Sequence, residues 1–200
     1  MNRTCGVLFL LIVFSLPACS TSMPETKIYT LYLAADSGAV NAGDKTSLVI
    51  HMDAERYLKQ PYIAYRNSPY RLNISKYSKW EASPYRMVGK EFQSALASAG
   101  LFKAVKISRI RTEGNYQLKI YLRKFERIDD QAGLFGTLVF DVELSSPAGE
   151  GLYRGAVSKK EKLGSSSFTE LARGLSSALA RGIEEVGAEI KKAVDQQSTD

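Results

Sequence analysis

With 200 residues, 44% of them hydrophobic and 24% charged, the chain has the length of one ordinary domain. Its composition supports a core without disulfide staples, which excludes wholesale disorder and collagen-like repeats. Lys and Arg (27) outnumber Asp and Glu (21) for a formal charge of +6, compatible with an anionic surface but too small to indicate nucleic acid, while two cysteines and one histidine exclude most metal and thiol chemistry.

Residues 1–18 begin with Arg3 as a positive charge and continue through a short apolar run from Val7 to Leu16, ending at Pro17 and Ala18. The run is too short to span a bilayer, which needs about 20 apolar residues, and its layout is that of a secretory signal. Leu16-Pro17-Ala18-Cys19 resembles a bacterial lipobox, which implies cleavage between Ala18 and Cys19 and acylation of the Cys19 thiol and amine. Cys5 leaves with the signal, so the mature chain can form no internal disulfide. Several acyl chains hold a protein stably where one holds it marginally. Ser20 stands where an Asp usually signals inner-membrane retention, so the expected location is the periplasmic face of the outer membrane. Residues 19–28 are the lipidated cysteine and its tether, 29–194 the folded domain and 195–200 a polar tail.

Within the domain, Tyr29–Leu33 has strand composition and residues 34–45 read as a loop. Thr46–Met52, Pro61–Arg66 and Arg71–Ser75 read as strands, the last two joined by a turn at Asn67-Ser68-Pro69. Ser83-Pro84 opens a helix, with the hydroxyl expected to cap it. Val88, Phe92, Ala95, Leu96 and Ala99 recur along it at helical spacing, and Gly100 ends it. Ala104–Arg109 is a strand candidate. Tyr116, Leu118, Ile120 and Leu122 alternate with polar residues, as do Leu138, Phe140, Val142 and Leu144; Ser146–Gly149 turns the chain into a strand over 152–158. Ser167 and Glu170 have capping-box spacing ahead of a helical stripe from Phe168 to Val194. The fold expected is α/β of the α+β type: a single domain with a mixed, largely antiparallel sheet and both helices on one face.

Few residues offer chemistry. His51, the only histidine, lies in an apolar strand without a Gly-x-Ser-x-Gly elbow and reads as structural, with a catalytic base as the competing reading. Glu126, Asp129 and Asp130 form a carboxylate cluster among Arg123, Lys124 and Arg127, read as surface pairing. No catalytic residue, cofactor or metal ligand is assigned. From Arg56 to Arg86 seven aromatic residues interleave with seven basic ones, a pattern that suits phosphate-bearing or protein surfaces. In an exported protein nucleic acid is not expected. Lys59, Tyr62, Tyr65, Arg66, Tyr77, Lys79 and Trp80 are the candidate partner surface, with core aromatics under basic tips as the alternative.

Tyr29-Thr30-Leu31, Tyr57-Leu58, Pro61–Arg66, Tyr77–Trp80, Leu101–Val105, Asn115–Leu118 and Lys124-Phe125-Glu126, followed by the alanine-rich last helix, together resemble the ABC-type transport auxiliary lipoproteins, which include the paraquat-inducible C-type proteins. The chain departs from that pattern at Ala54-Glu55-Arg56, where a proline usually precedes the Tyr-Leu pair. The resemblance implies a non-enzymatic subunit of an envelope lipid-transport system. Its implied partners are a mammalian-cell-entry domain protein, a permease and an ATPase. A homo-oligomer, a periplasmic carrier that binds phospholipid, and a structural outer-membrane lipoprotein are the readings left open.

Overall fold

A computed structural model of the chain describes residues 24–34, 46–110 and 113–197. The signal with Ala18, Cys19 and tether residues 20–23, the loop at 35–45 and the last three residues of the tail lie outside the described residues. The strands are β1 (Lys27–Tyr29), β2 (Leu48–Ala54), β3 (Tyr62–Ser68), β4 (Arg71–Trp80), β5 (Val105–Ile107), β6 (Tyr116–Asp130), β7 (Gly133–Ser145) and β8 (Gly151–Lys162). Helix α1 spans Pro84–Ser98, α2 spans Phe168–Gln197, and a 3₁₀ turn covers Arg56–Lys59.

All eight strands form one mixed sheet organised around β6. One edge of β6 carries β7 in antiparallel register along its whole length, and β8 continues the meander. The other edge is shared: β2 lies parallel to Tyr116–Leu122, and β3 lies parallel to Glu126–Ile128. β5 extends the first branch, while β4 and then β1 extend the second. The 3₁₀ turn crosses from one branch to the other. It is pinned where the Glu55 N–H donates to the Leu122 carbonyl at 3.0 Å.

β6 can serve both branches because it contains a bulge at Arg123. Before it, Leu118, Ile120 and Leu122 face the helices; after it, Phe125 and Arg127 do. An inserted residue reverses the alternation of a strand. The alternation read from the sequence covers only Tyr116 to Leu122. The strand instead continues to Asp130, with its faces exchanged.

Both helices cover one side of the sheet. In α2, Leu171, Leu175, Leu179, Ile183, Val186, Ile190 and Val194 are buried, as the stripe predicts. In α1, Met87, Val88, Phe92 and Leu96 are buried, and Phe92 meets Phe140 of β7 edge-on at 5.4 Å. The Ser167 hydroxyl accepts from the Glu170 N–H at 3.2 Å. The Glu170 carboxylate turns to Arg173 instead of returning to Ser167, so the capping box is one-sided. Ser83 departs from expectation: its hydroxyl makes no cap bond, and its carbonyl takes the Arg86 and Met87 N–H groups. The β3–β4 turn falls on Pro69-Tyr70, because Asn67 and Ser68, expected in the turn, still belong to β3, and both strands run longer than their composition indicates.

Candidate functional site

The Arg56–Arg86 tract supplies the 3₁₀ turn, β3, β4 and the start of α1. Alternation along the strands then sends its members to different places. Trp80 points into the core, is 1% exposed and meets Phe125 at 5.3 Å. It therefore leaves the candidate surface: the strand pleat that puts Lys79 outside puts its neighbour inside. Tyr65 also turns to the helix side, beside the Arg127 guanidinium (5.1 Å) and Phe168 (6.4 Å). Arg127 is buried there, gripping Asp129 with two bonds of 2.7 and 3.0 Å and donating to the Ser166 carbonyl. Tyr29 closes this box against Phe168 at 6.0 Å.

Arg66 faces the helix-free side, and its Nε donates to Oε1 of Glu126 at 2.9 Å. Glu126 is completely buried, and its second oxygen accepts from the Tyr57 hydroxyl at 3.1 Å. Burial first, then the neighbouring Glu126 carboxylate, hold the Tyr57 phenol well above its ordinary pKa. The cluster closes the sheet where its two branches separate. Glu126, Asp129 and Asp130 thus form no carboxylate site. Their partners are Arg66, Arg127 and Lys160, and of the basic neighbours read from the sequence only Arg127 takes part.

Lys59, Tyr62 and Lys79 stay on the open face. Tyr62 lies opposite Lys79 and Ile28 lies beside it, so these side chains share a side of the sheet. Lys59 pairs with Asp53 at 2.6 Å, and that contact holds the Asp53 carboxyl below the usual carboxylate range. Five large apolar or aromatic side chains of this branch are exposed: Ile28, Tyr62, Tyr70, Ile74 and Tyr77.

The other branch presents a different surface on the same side. A groove of about 720 Å³ runs over β2, β6, β7 and β8 and is crossed by ion pairs. Arg123 meets Asp141 at 2.5 Å, and Glu143 takes Lys119 at 3.5 Å and Arg154 at 3.0 Å. Exposed pairs of this kind add little stability, but charge on an open sheet opposes unwanted strand and sheet association. His51 lies at the groove margin, where one ring nitrogen donates to the Ser108 carbonyl at 2.9 Å and the other is 2.6 Å from Oε1 of Gln117. Both ring nitrogens of His51 therefore have partners within the fold. The layer between sheet and helices, where a carrier would take an acyl chain, is filled by side chains such as Phe92, Phe125, Phe140 and Leu179. Among the described residues no acidic, histidine or cysteine cluster could hold a metal, and no helix is long and apolar enough to cross a membrane.

A family model described as the ABC-type transport auxiliary lipoprotein component matches residues 29–187. The chain belongs to this family. As an auxiliary lipoprotein component it is an envelope protein associated with an ABC transporter system. Its fold is similar to the crystal structure of protein XCC0632 from Xanthomonas campestris, a DUF330 protein, at TM-score 0.75 and 19% identity over 87% of this chain and 100% of that one. A second solved structure, of an uncharacterized protein, matches at TM-score 0.65 and 14% identity over 84% of this chain and 99% of the other. At such identities the likeness concerns the fold alone. No curated protein matches the sequence.

The sequence reading missed the Tyr57–Arg66–Glu126 cluster. Its one visible signal was a carboxylate placed where a strand of unbroken alternation would have had a core residue. No local pattern shows that Tyr57, Arg66 and Glu126 meet.

Proposed function

We propose that this auxiliary lipoprotein is a non-enzymatic docking subunit of a mammalian-cell-entry lipid transport machinery. It is anchored through acylated Cys19 at the periplasmic face of the outer membrane and joins a mammalian-cell-entry domain protein whose permease and ATPase complete the system. The observation that carries this reading is the family match over residues 29–187, which covers the folded domain from its first strand into its last helix. The lipobox-like Leu16–Cys19 supports the anchor, and Ser20 supports the outer membrane.

The surface offered to the protein partner is the open-face group Lys59, Tyr62 and Lys79. Tyr is a residue type enriched in interface cores, and the flanking lysines suit the polar rim, where charge steers a partner into register. The test is affinity purification of the tagged, acylated protein from envelopes cross-linked before solubilisation, with partners identified by mass spectrometry. Co-purification of the mammalian-cell-entry protein, permease and ATPase is the expected result. Lys59→Glu with Lys79→Glu should lower their yield without changing the thermal midpoint. Recovery of the acylated protein alone overturns the docking role.

A further inference from the structure

We propose that the distal half of the β3–β4 hairpin, residues 69–77, rests on the anionic phospholipid surface that carries the anchor, giving the domain a second membrane contact that sets its orientation. The inference rests on the anchored-subunit reading above and adds a surface to it.

Direction comes first. β1 runs parallel to β4, with Lys27 opposite Ser78. The chain that precedes Lys27 therefore approaches from the side on which β4 begins, the side of the hairpin tip. Tyr62 lies opposite Lys79, and β3 runs six more steps to Ser68, so the tip stands about 20 Å beyond this level. Cys19 is eight residues before Lys27, and that length of chain spans at most about 29 Å. An anchor at Cys19 thus reaches the level of the tip and little farther, which keeps this end of the sheet within reach of the bilayer.

Chemistry agrees with the geometry. From Tyr62 to Trp80 there is no Asp or Glu, and Arg66, Arg71, Lys76 and Lys79 are present. Arg66 is taken by Glu126, whereas Arg71 and Lys76 have no ion pair among the described residues. Lys76 lies over the Tyr77 ring at 5.0 Å, and Ile74 is exposed beside it. Tyr70, at the tip, is 96% exposed, which has no role in the packing of this fold. Of the acids at the same end, Asp129 pairs with Arg127 and Asp130 with Lys160, and Glu25, exposed two residues before Lys27, offsets no more than one of the two unpaired cations. The surplus charge of this end is therefore positive. Tyrosine settles at the level of lipid headgroups, where its ring and hydroxyl meet different media, and cations near an anionic leaflet are attracted to it. A protein partner would need an acidic counterpart that nothing in this chain specifies; the bilayer follows from the anchor.

The test uses the acylated protein, its acylation confirmed by intact mass, reconstituted in phosphatidylcholine vesicles with or without phosphatidylglycerol. An environment-sensitive fluorophore is placed at Tyr70→Cys or, at the opposite end of the sheet, at Ala148→Cys. A blue shift and quenching by lipid-borne quenchers at position 70 only, in phosphatidylglycerol vesicles and reversed by salt, is the expected result. Arg71→Gln and Lys76→Gln should each shift the contact equilibrium about five-fold toward the free state. The vesicle and salt comparisons need no cation variant, so they decide the matter even if one misfolds. A water-like signal at position 70 in both vesicle types overturns the membrane contact, as does protection there that appears only when the mammalian-cell-entry protein is added. A chain that emerges unacylated overturns the anchor reading instead.

Discussion

A buried carboxylate is stable only with partners, and Glu126 has two. Removing Arg66 leaves that carboxylate with the Tyr57 hydroxyl alone. Arg66→Met is therefore expected to lower the unfolding free energy by about 1–3 kcal/mol, measured by urea denaturation. Adding Glu126→Gln should cost less than the sum of the single changes, because the unpaired charge is gone; strict additivity would show that the pair is not coupled. Tyr57 predicts a pH effect of definite sign. Its phenol is neutral when protonated and its folded-state pKa is raised. The folded state thus holds the proton more tightly, so the contribution is complete below about pH 10 and is lost as pH rises from there toward the folded value. Tyr57→Phe should flatten the alkaline fall in stability, seen as a smaller drop in thermal midpoint between neutral and strongly alkaline buffer. An unchanged drop would place the titrating group elsewhere.

Element by element, the glycines of α2 separate intrinsic helix preference from packing. A Cβ at Gly187 would meet nothing within 4 Å, so Gly187→Ala should gain the usual helix preference of Ala over Gly, about 0.5–1 kcal/mol. At Gly182 a Cβ would come within 3.1 Å of the Phe140 ring and 3.4 Å of Val157. Gly182→Leu forces that ring aside, and a loss of about 1–3 kcal/mol is expected. Thermal denaturation of the two variants checks both signs. The two positions are equivalent to any reading of helix propensity; only the sheet beneath one of them differs. The bulge at Arg123 makes the same point for strands. Two regular alternations that disagree in phase look like separate elements until a continuous partner strand, β7, shows that they are one.

For the whole molecule, the proposed anchoring makes membrane attachment and domain stability separable. Cys19→Ser should remove the proposed acyl anchor and release the protein to the soluble fraction with the folded domain unaffected. Fractionation and a thermal melt of the released protein report the two halves of that expectation. Persistent sedimentation with membranes in high salt would point to an attachment other than the lipid. The two sides of the sheet also divide labour at this scale. One side is sealed by α1 and α2. The other is part charged ladder and part exposed aromatic-basic hairpin, and it offers the surfaces proposed for partners and bilayer.

Fold class, both helices and the buried stripe of α2 were legible in the sequence because each rests on local periodicity. The same holds for the family resemblance, which rests on ordered short motifs. The composition of the aromatic-basic tract was also legible, but its geometry was not. Trp80 and Lys79 are neighbours in sequence and lie on opposite sides of a sheet; Tyr57, Arg66 and Glu126 are far apart in sequence and in hydrogen-bond contact. Which tract residues are surface, which are core and which form an ion pair follows from strand register and from one inserted residue in β6. Those are properties of long-range pairing, and only the tertiary structure decides them.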